Sequence, residues 1–268
     1  MSIITISRGT FSGGADLAEC LHRHLGYDVV SREIVADAAK TYGVSESTLS
    51  RALESSPRLV DRFLHDRRLY LAFVRVALVE RAAHDNIVYH GHAGHFLLKG
   101  VRHVVRVRLI APLDFRIDRV RKRMELDDRE AAAYIERVDK DRARWTEFLY
   151  GADWKDPSLY DLVVNLEQVD VEGACQAVIA VASRPHFQAD DVSRQAMADL
   201  LLASRLAAAL AADPVTSCAE VDVRARAGQV EIEGKLADPM LVNAVIDRAR
   251  RVAGVRGIRY GTRVMFEN

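Results

Sequence analysis

The 268-residue chain is 49% hydrophobic and 28% charged, which is the composition of a globular protein with a buried core. The charges of its 38 basic and 38 acidic residues cancel, which excludes a net positive field that would attract nucleic acid or acidic membranes. Any site for an anion must therefore be local. Cys20, Cys175 and Cys218 form no C-x-x-C pair, which predicts buried thiols rather than a disulfide framework or a zinc knuckle.

The chain opens with no signal-peptide pattern, and no apolar run approaches the roughly 20 residues that span a bilayer. We therefore expect a cytoplasmic protein without a transmembrane segment.

The first predicted unit is a strand, a glycine-rich loop and a helix. A β-branched run at 3–6 precedes the loop at 9–14, and apolar residues then recur at helical spacing over 17–25. Such a unit holds phosphate because loop N–H groups and the helix dipole point at the anion. The end glycines fit the G-x-x-x-x-G-K-[ST] pattern, but Ala15 stands at the lysine position and Asp16 at the hydroxyl position.

Strand and helix patterns then alternate along the chain. The predicted strands are 27–30, 87–90, 104–110 and 160–165, and the predicted helices are 31–42, 59–83, 113–124, 130–149 and 171–182, with a short helix within 45–56. This alternation predicts right-handed βαβ units and a mainly parallel sheet flanked by helices, an α/β fold. Ligands bind such sheets beyond the carboxyl ends of the strands, where the glycine loop lies.

The pattern changes after residue 185. Residues 186–193 are polar and predict a linker. The tail over 194–268 predicts a small αββαβ domain with a helix at 193–212, strands at 221–226 and 230–233, a helix from Pro239 and a last strand at 258–265. We thus predict a first domain over 1–185 and a second over 194–268.

A series of short motifs, in order, covers roughly residues 1 to 183. In this set the chain resembles the cytidylate-kinase-like proteins, a branch of the P-loop nucleoside monophosphate kinases. The matching residues are Ser7–Arg8 with Ser12–Gly14, Tyr27 leading to Arg32–Ile34, Val88 with Gly91, Ala111–Leu113 leading into Arg116 and Arg119, Asp139–Arg142, Asp153–Trp154 and Tyr160–Asn165.

The resemblance implies binding of ATP with Mg²⁺ and phosphorylation of CMP or a related nucleoside monophosphate, with no nucleic-acid partner. Such catalysis is mostly positioning and neutralisation of charge on the transferred group. The implied roles are donor binding by Arg8, Gly9, Thr10, Phe11, Ser12, Gly13, Gly14, Ala15 and Asp16, catalysis by Arg119, Arg123 and Arg142, and acceptor binding by Arg32 and His92; no dedicated metal ligand is assigned.

The chain departs from that family at the residues that carry charge. The loop cation is replaced by Ala15, the strand-end Gly-Arg reads Gly91-His92, and Asp16 places a carboxylate near the phosphates. Loss of one phosphate-clamping cation costs on the order of 10²–10³ in rate. Two functions stay open: an active kinase in which Arg8 and the helical arginines compensate, and a catalytically inactive nucleotide sensor.

Several simpler interpretations also stay open. The loop motif alone also fits an ordinary strand-to-helix turn, and the arginines of 113–124 also fit a solvated face paired with neighbouring acids. His90, His92 and His95 invite a metal interpretation, but no carboxylate or cysteine stands at ligand spacing. A scaffold in which both domains only mediate assembly is a third function.

The tail resembles a BON domain through Asp222–Val223, Gly228–Val230, Gly234 and Gly254–Val255. That family is linked to binding of phospholipid or other ligands, so the resemblance implies contact with a partner, a ligand or a membrane surface. The edge of the predicted tail sheet also offers a surface for a homodimer or for docking. The tail arginines fit a solvated face as well, since acidic residues are interspersed with them.

Overall fold

The computed structural model of the chain describes residues 1–31, 33–54, 64–91, 93–234, 236 and 238–261. The described residues divide into two compact units. Met1–Ile34 and His84–Ala189 belong to the first unit, and Val35–Leu49, Leu64–Ala82 and the residues from Asp190 onwards belong to the second.

The strands and helices are numbered in chain order. The strands are β1 (Ile3–Arg8), β2 (Asp28–Val30), β3 (Ile87–Tyr89), β4 (Val104–Ile110), β5 (Leu162–Asn165), β6 (Val221–Arg226), β7 (Gln229–Gly234) and β8 (Gly257–Gly261). The helices are α1 (Gly14–Leu25), α2 (Glu33–Tyr42), α3 (Glu46–Glu54), α4 (Leu64–Ala82), α5 (Gly94–Leu97), α6 (Leu113–Met124), α7 (Asp128–Tyr150), α8 (Val171–Ala182), α9 (Asp191–Ala212) and α10 (Pro239–Arg250).

The first unit is built on a five-stranded sheet in the order β2-β3-β1-β4-β5, in which every neighbouring pair is parallel. The predicted α/β fold with a parallel sheet is therefore confirmed. Because β1 is the central strand, the loop that follows it leaves the sheet in the middle of the carboxyl edge.

The two faces of this sheet differ in chemistry. Side chains alternate along a strand, so Ile4 and Ile6 of β1 and Val107 of β4 face one side, where they pack in a core with α1 and α8. Of the intervening residues, Thr5, Ser7 and Arg108 are polar and buried on the other side, towards the carboxyl ends of the strands. The sheet therefore carries a polar layer directly below the loop.

The second unit contains a sheet in the order β6-β7-β8, in which β6 and β7 are antiparallel and β7 and β8 are parallel. Ala227 and Gly228 both have positive φ, the conformation of a two-residue hairpin turn between right-twisted strands. Helix α9, the β6-β7 hairpin, α10 and β8 follow the predicted αββαβ order. Its core contains Leu206 of α9, Ile232 of β7 and Val245 of α10.

Some predicted boundaries were wrong by a few residues. Helix α7 begins at Asp128 rather than at Glu130, because Asp127 and Glu130 exchange capping hydrogen bonds. Helix α9 begins at Asp191, because Asp190 caps it reciprocally with Ser193. Helix α5 was not predicted, and the predicted helical residues 59–63 lie outside the described part of the chain.

One stretch, Pro185–Ala212, is long and apolar enough by length and composition to cross a membrane. This is weak evidence against the predicted absence of a transmembrane segment, because a core helix of a soluble protein passes the same test. Leu202, Leu206 and Leu210 of this stretch are buried in the core of the second unit.

We predict that Leu206→Ala lowers the free energy of unfolding by about 2–5 kcal/mol, because it leaves a cavity in a well-packed core. Leu206 is fully buried, whereas Val192 on the same helix is 74% exposed. Val192→Ala is thus the matched control and should change stability by no more than about 0.5 kcal/mol. Urea unfolding followed by circular dichroism measures both, and equal effects would contradict this packing.

Candidate functional site

The loop between β1 and α1 carries hydrogen-bond donors that the described residues leave unused. Gly13 is the N-cap residue of α1 with φ +85°, and no described side chain caps the helix there. The Ser12 hydroxyl is buried, and it has no hydrogen-bond partner among the described residues. An uncapped helix N-terminus beside an unpaired hydroxyl is the arrangement that receives an anion.

Two glycines of the loop allow arginine side chains to cross it. A Cβ on Gly14 would lie 2.0 Å from Cδ of Arg8, and one on Gly9 would lie 3.1 Å from Cζ of Arg116. A side chain at position 14 would therefore displace Arg8 from its present course, whereas at position 9 the nearest atom is Oγ of Ser12 at 2.8 Å and Arg116 would need only a small shift.

Arg8 lies over the first residue of α1. Its Nη2 donates to the carbonyl of His90 at 3.4 Å, and its aliphatic part covers Gly14. Nε of Arg8 would lie 2.7 Å from a Cβ on Gly14, so the side chain passes the first residue of α1. Ala15, at the position of the missing lysine, is the next residue.

The loop is tied to α7 through the carboxylate of Asp139. The N–H and the hydroxyl of Thr10 both donate to Oδ1 of Asp139, at 2.9 and 2.8 Å. Arg116 of α6 closes the group, because its Nη2 lies 2.5 Å from Oδ2 of Asp139 and its Nε donates to the carbonyl of Thr10 at 2.7 Å. We call Thr10, Arg116 and Asp139 the loop clasp.

Burial by itself would raise the pKa of Asp139. The hydrogen bonds from the Thr10 N–H and from Arg116 outweigh burial, so the pKa lies below its ordinary value. The carboxylate is therefore ionised at neutral pH, which strengthens its bonds to the loop.

Arg116 and Asp139 were quoted in the family motifs but were not predicted as site residues. The sequence spacing could have indicated both residues. Arg116 stands three residues before Arg119, and Asp139 stands three residues before Arg142, so each pair lies on one helix face.

The predicted catalytic arginines have different surroundings. Arg142 of α7 contacts the loop through Nη1, which lies 3.1 Å from Thr10 Oγ1 and 3.3 Å from the carbonyl of Arg8. Arg119 of α6 forms an ion pair with Asp16 in the first turn of α1.

The remaining predicted residues are Arg123, Arg32 and His92. Arg123 is exposed and forms no ion pair or hydrogen bond with the part of the chain that the structure describes. Arg32 and His92, predicted to contact the acceptor, lie outside the described residues.

A polar network supports the end of β1 from below. The Tyr160 hydroxyl donates to the carbonyl of Trp154 at 2.7 Å and lies 3.1 Å from Oγ of Ser7. Arg108 donates to the same carbonyl at 2.8 Å, and its guanidinium lies 4.6 Å from the centre of the Trp154 ring. This network fixes the strand residue that precedes Arg8. Trp145 and Trp154 are both buried.

Two histidines near the carboxyl edge are neutral at physiological pH. Burial lowers the pKa of His90 to about 4, and the charge of Arg8 lowers it further. Burial also lowers the pKa of His95 to about 4, with Arg106 and Arg108 acting in the same direction. Neither imidazole therefore adds positive charge to the site at neutral pH.

The charges around the loop favour an anionic ligand. Arg8, Arg116, Arg119 and Arg142 lie around it, with Asp139 bonded to Arg116 and Asp16 paired with Arg119. The dipole of α1 also favours an anion at the N-terminus of that helix.

A comparison with known protein families gives a match to the model of the cytidylate kinase-like family over residues 3–168. Cytidylate kinase of Pyrococcus abyssi is 32% identical over 180 residues, which cover 66% of this chain and 92% of that enzyme. Cytidylate kinase of Sulfolobus acidocaldarius is 27% identical over 187 residues, which cover 69% of this chain and 96% of that enzyme.

Among solved structures, an uncharacterized protein from Eubacterium ventriosum matches with a TM-score of 0.53 and 21% identity. The match covers 69% of this chain and 100% of that protein, and it supports the fold alone. The family model ends at residue 168, so the BON-like character of the tail remains a prediction.

We predict that Asp139→Asn lowers stability by about 1.5–3 kcal/mol at pH 7, because Arg116 loses its charged partner. The pKa of Asp139 is lowered in the folded state, so its contribution is present above the ordinary carboxyl pKa and is lost as pH falls through the lowered value.

The difference in the free energy of unfolding between the parent protein and the Asp139→Asn variant should therefore shrink as the pH falls. Urea unfolding at a series of pH values from 7 down to 3 measures this difference. Asp141→Asn is the control, because Asp141 lies on the same helix and makes no hydrogen bond or ion pair with the described residues. A difference that is independent of pH would contradict the loop clasp.

Proposed function

The chain belongs to the cytidylate kinase-like family, and from this premise we propose that it binds ATP at the loop 9–14 and transfers the terminal phosphoryl group to CMP or a related nucleoside monophosphate. The observation that carries the proposal is the position of Arg8. Its side chain lies against Gly14, the residue before Ala15. We propose that its guanidinium supplies the cation that the loop lysine would otherwise provide.

The binding step follows from the unused donors of the loop. The N–H groups at the start of α1 and the hydroxyl of Ser12 receive the donor phosphates, and Arg8 neutralises part of their charge. The loop clasp occupies the N–H of Thr10, so Thr10 positions the loop and does not itself donate that N–H to phosphate.

The transfer step depends on positive charge around the transferred group. Arg142 already contacts the loop and is available to that group with a small movement. Arg119 pairs with Asp16, so we propose that it exchanges this carboxylate for phosphate when the nucleotide binds. Arg123 forms no ion pair or hydrogen bond with the described residues, and its contact to the transferred group remains a proposal.

Mg²⁺ is implied by the family, and the loop offers oxygen ligands that suit it. The carboxylate of Asp16 and the unpaired hydroxyl of Ser12 are hard oxygen donors at the start of α1, and Mg²⁺ prefers one or two carboxylates together with substrate phosphates. We propose that Asp16 holds the ion, which would neutralise phosphate charge when bound.

The proposed contacts to the acceptor nucleotide are inferred from the sequence. Arg32 and His92 remain the proposed contacts to the acceptor phosphate. The cytoplasmic location, the division into domains at 1–185 and 194–268, and the BON-like contact of the tail with a partner, a phospholipid or a second copy also remain proposals.

We predict ADP release that depends on a nucleoside monophosphate, measured in a coupled assay over the common monophosphates with Mg²⁺ or Mn²⁺. Nucleotide-dependent thermal stabilisation without turnover would instead indicate the nucleotide sensor. No turnover and no stabilisation at millimolar ATP or CMP would overturn both functions.

We also predict that Arg8→Ala lowers kcat/KM by about 10²–10³, the usual effect of removing one charge-stabilising group. Ala15→Lys should restore much of the loss in the Arg8→Ala background and change the parent protein far less, because the two cations serve the same phosphate.

Lys122→Ala is the control, because Lys122 is an exposed cation of α6 outside the proposed site. Equal effects of Ala15→Lys in both backgrounds would show that Arg8 does not replace the loop lysine. The kcat/KM values of the parent protein, Arg8→Ala, Ala15→Lys and the double variant form one double-mutant cycle. This cycle gives the coupling between positions 8 and 15 directly.

A further inference from the structure

A second group of reactive side chains lies between α1 and α8, on the part of α1 that follows the loop. Cys20 and His24 are four residues apart on α1, and Glu172 and Cys175 are three apart on α8. These spacings place each pair on one helix face. Because a helix rises about 1.5 Å per residue, Cys20 lies about 9 Å along α1 from Gly14 at the phosphate loop.

The four side chains converge. Cys20, His24 and Cys175 each offer one ligand atom, and these three atoms lie within 4.8 Å of one another. The carboxylate of Glu172 lies against two of them, because its Oε2 accepts from Sγ of Cys20 at 3.2 Å and its Oε1 lies 3.0 Å from Nε2 of His24.

From this geometry we propose that Cys20, His24, Cys175 and Glu172 form a binding site for a thiophilic divalent ion, with Zn²⁺ as the best fit. Tetrahedral zinc with Zn–S near 2.3 Å and Zn–N near 2.0 Å requires neighbouring ligand atoms about 3.3–3.8 Å apart. The three atoms reach that spacing by small side-chain rotations. Two thiolates and an imidazole select zinc over Mg²⁺ or Ca²⁺, which prefer oxygen.

The burial of the ligands suits a structural ion more than a reactive thiol. Both cysteines are buried, while His24 and Glu172 remain partly exposed and provide a path for entry. Burial raises the pKa of Cys20, and it raises that of Cys175 to about 12.

Two of the four residues, Glu172 and Cys175, lie beyond residue 168, where the matched family segment ends. A metal held there would join α8 to the helix whose N-terminus forms the phosphate loop. It would also stabilise the folded first unit by binding only when both helices are in place.

The test uses the full chain, reduced, treated with a chelator and then titrated with Co²⁺ as a spectroscopic probe for Zn²⁺. We expect one equivalent to give thiolate-to-cobalt charge-transfer absorption and intense visible bands of tetrahedral coordination, and we expect Zn²⁺ to abolish them by displacement. One equivalent of Zn²⁺ should also raise the melting temperature.

Cys20→Ser and Cys175→Ser should lose the charge-transfer band, and His24→Gln should weaken it. His24→Gln is included because its side chain is partly exposed, so the variant stays folded even where a buried Cys→Ser does not. Cys218→Ser is the matched control, because Cys218 is an exposed cysteine outside this group.

A parent protein that shows no charge-transfer band would overturn the proposal. So would a band that survives His24→Gln at full strength or disappears in Cys218→Ser. These readouts do not depend on turnover, so the metal site and the proposed kinase function succeed or fail separately.

Discussion

The ionised carboxylate of Asp139 is the constraint on which the site depends. A phosphate-binding loop has backbone donors that point inward and lack partners until a ligand arrives. Here the chain satisfies one of them itself, through the N–H of Thr10, and Arg116 neutralises the carboxylate. The loop, α6 and α7 are thereby fixed relative to one another before any nucleotide binds. Donors that are fixed in advance require no reorganisation during the reaction.

The fold could be predicted where local signals agree with burial. Strand β4 and helices α6 and α8 have the predicted bounds, since Pro112 ends the strand and alternation or helical periodicity runs without interruption. The start of α7 was wrong because the cap at Asp127 was not recognised. Helix α5 was missed because four residues are too few to show a helical period.

Sequence pattern alone indicates the part of the site that is continuous in sequence, and the family resemblance adds Arg119 and Arg142. The loop and Arg8 lie in one stretch, so their arrangement follows from the motif and the glycines. The role of Asp139 depends on a contact between α7 and a loop that is far away in the chain, and spacing on α7 gives no partner. The same limit applies to Cys20 and Cys175, which have no C-x-x-C spacing and meet only because α1 packs on α8.

The substitution at position 15 and the course of Arg8 are two parts of one arrangement. Gly14 leaves the space through which the Arg8 side chain passes. A lysine at 15 would add a second positive charge to the same short loop, and like charges repel each other. We propose that the loop keeps its positive charge by supplying it from Arg8, the last residue of β1, in place of a lysine at position 15. Since β1 is the central strand and its end is held by Ser7, Tyr160 and Trp154, this cation rests on a more rigid support than a loop side chain would have.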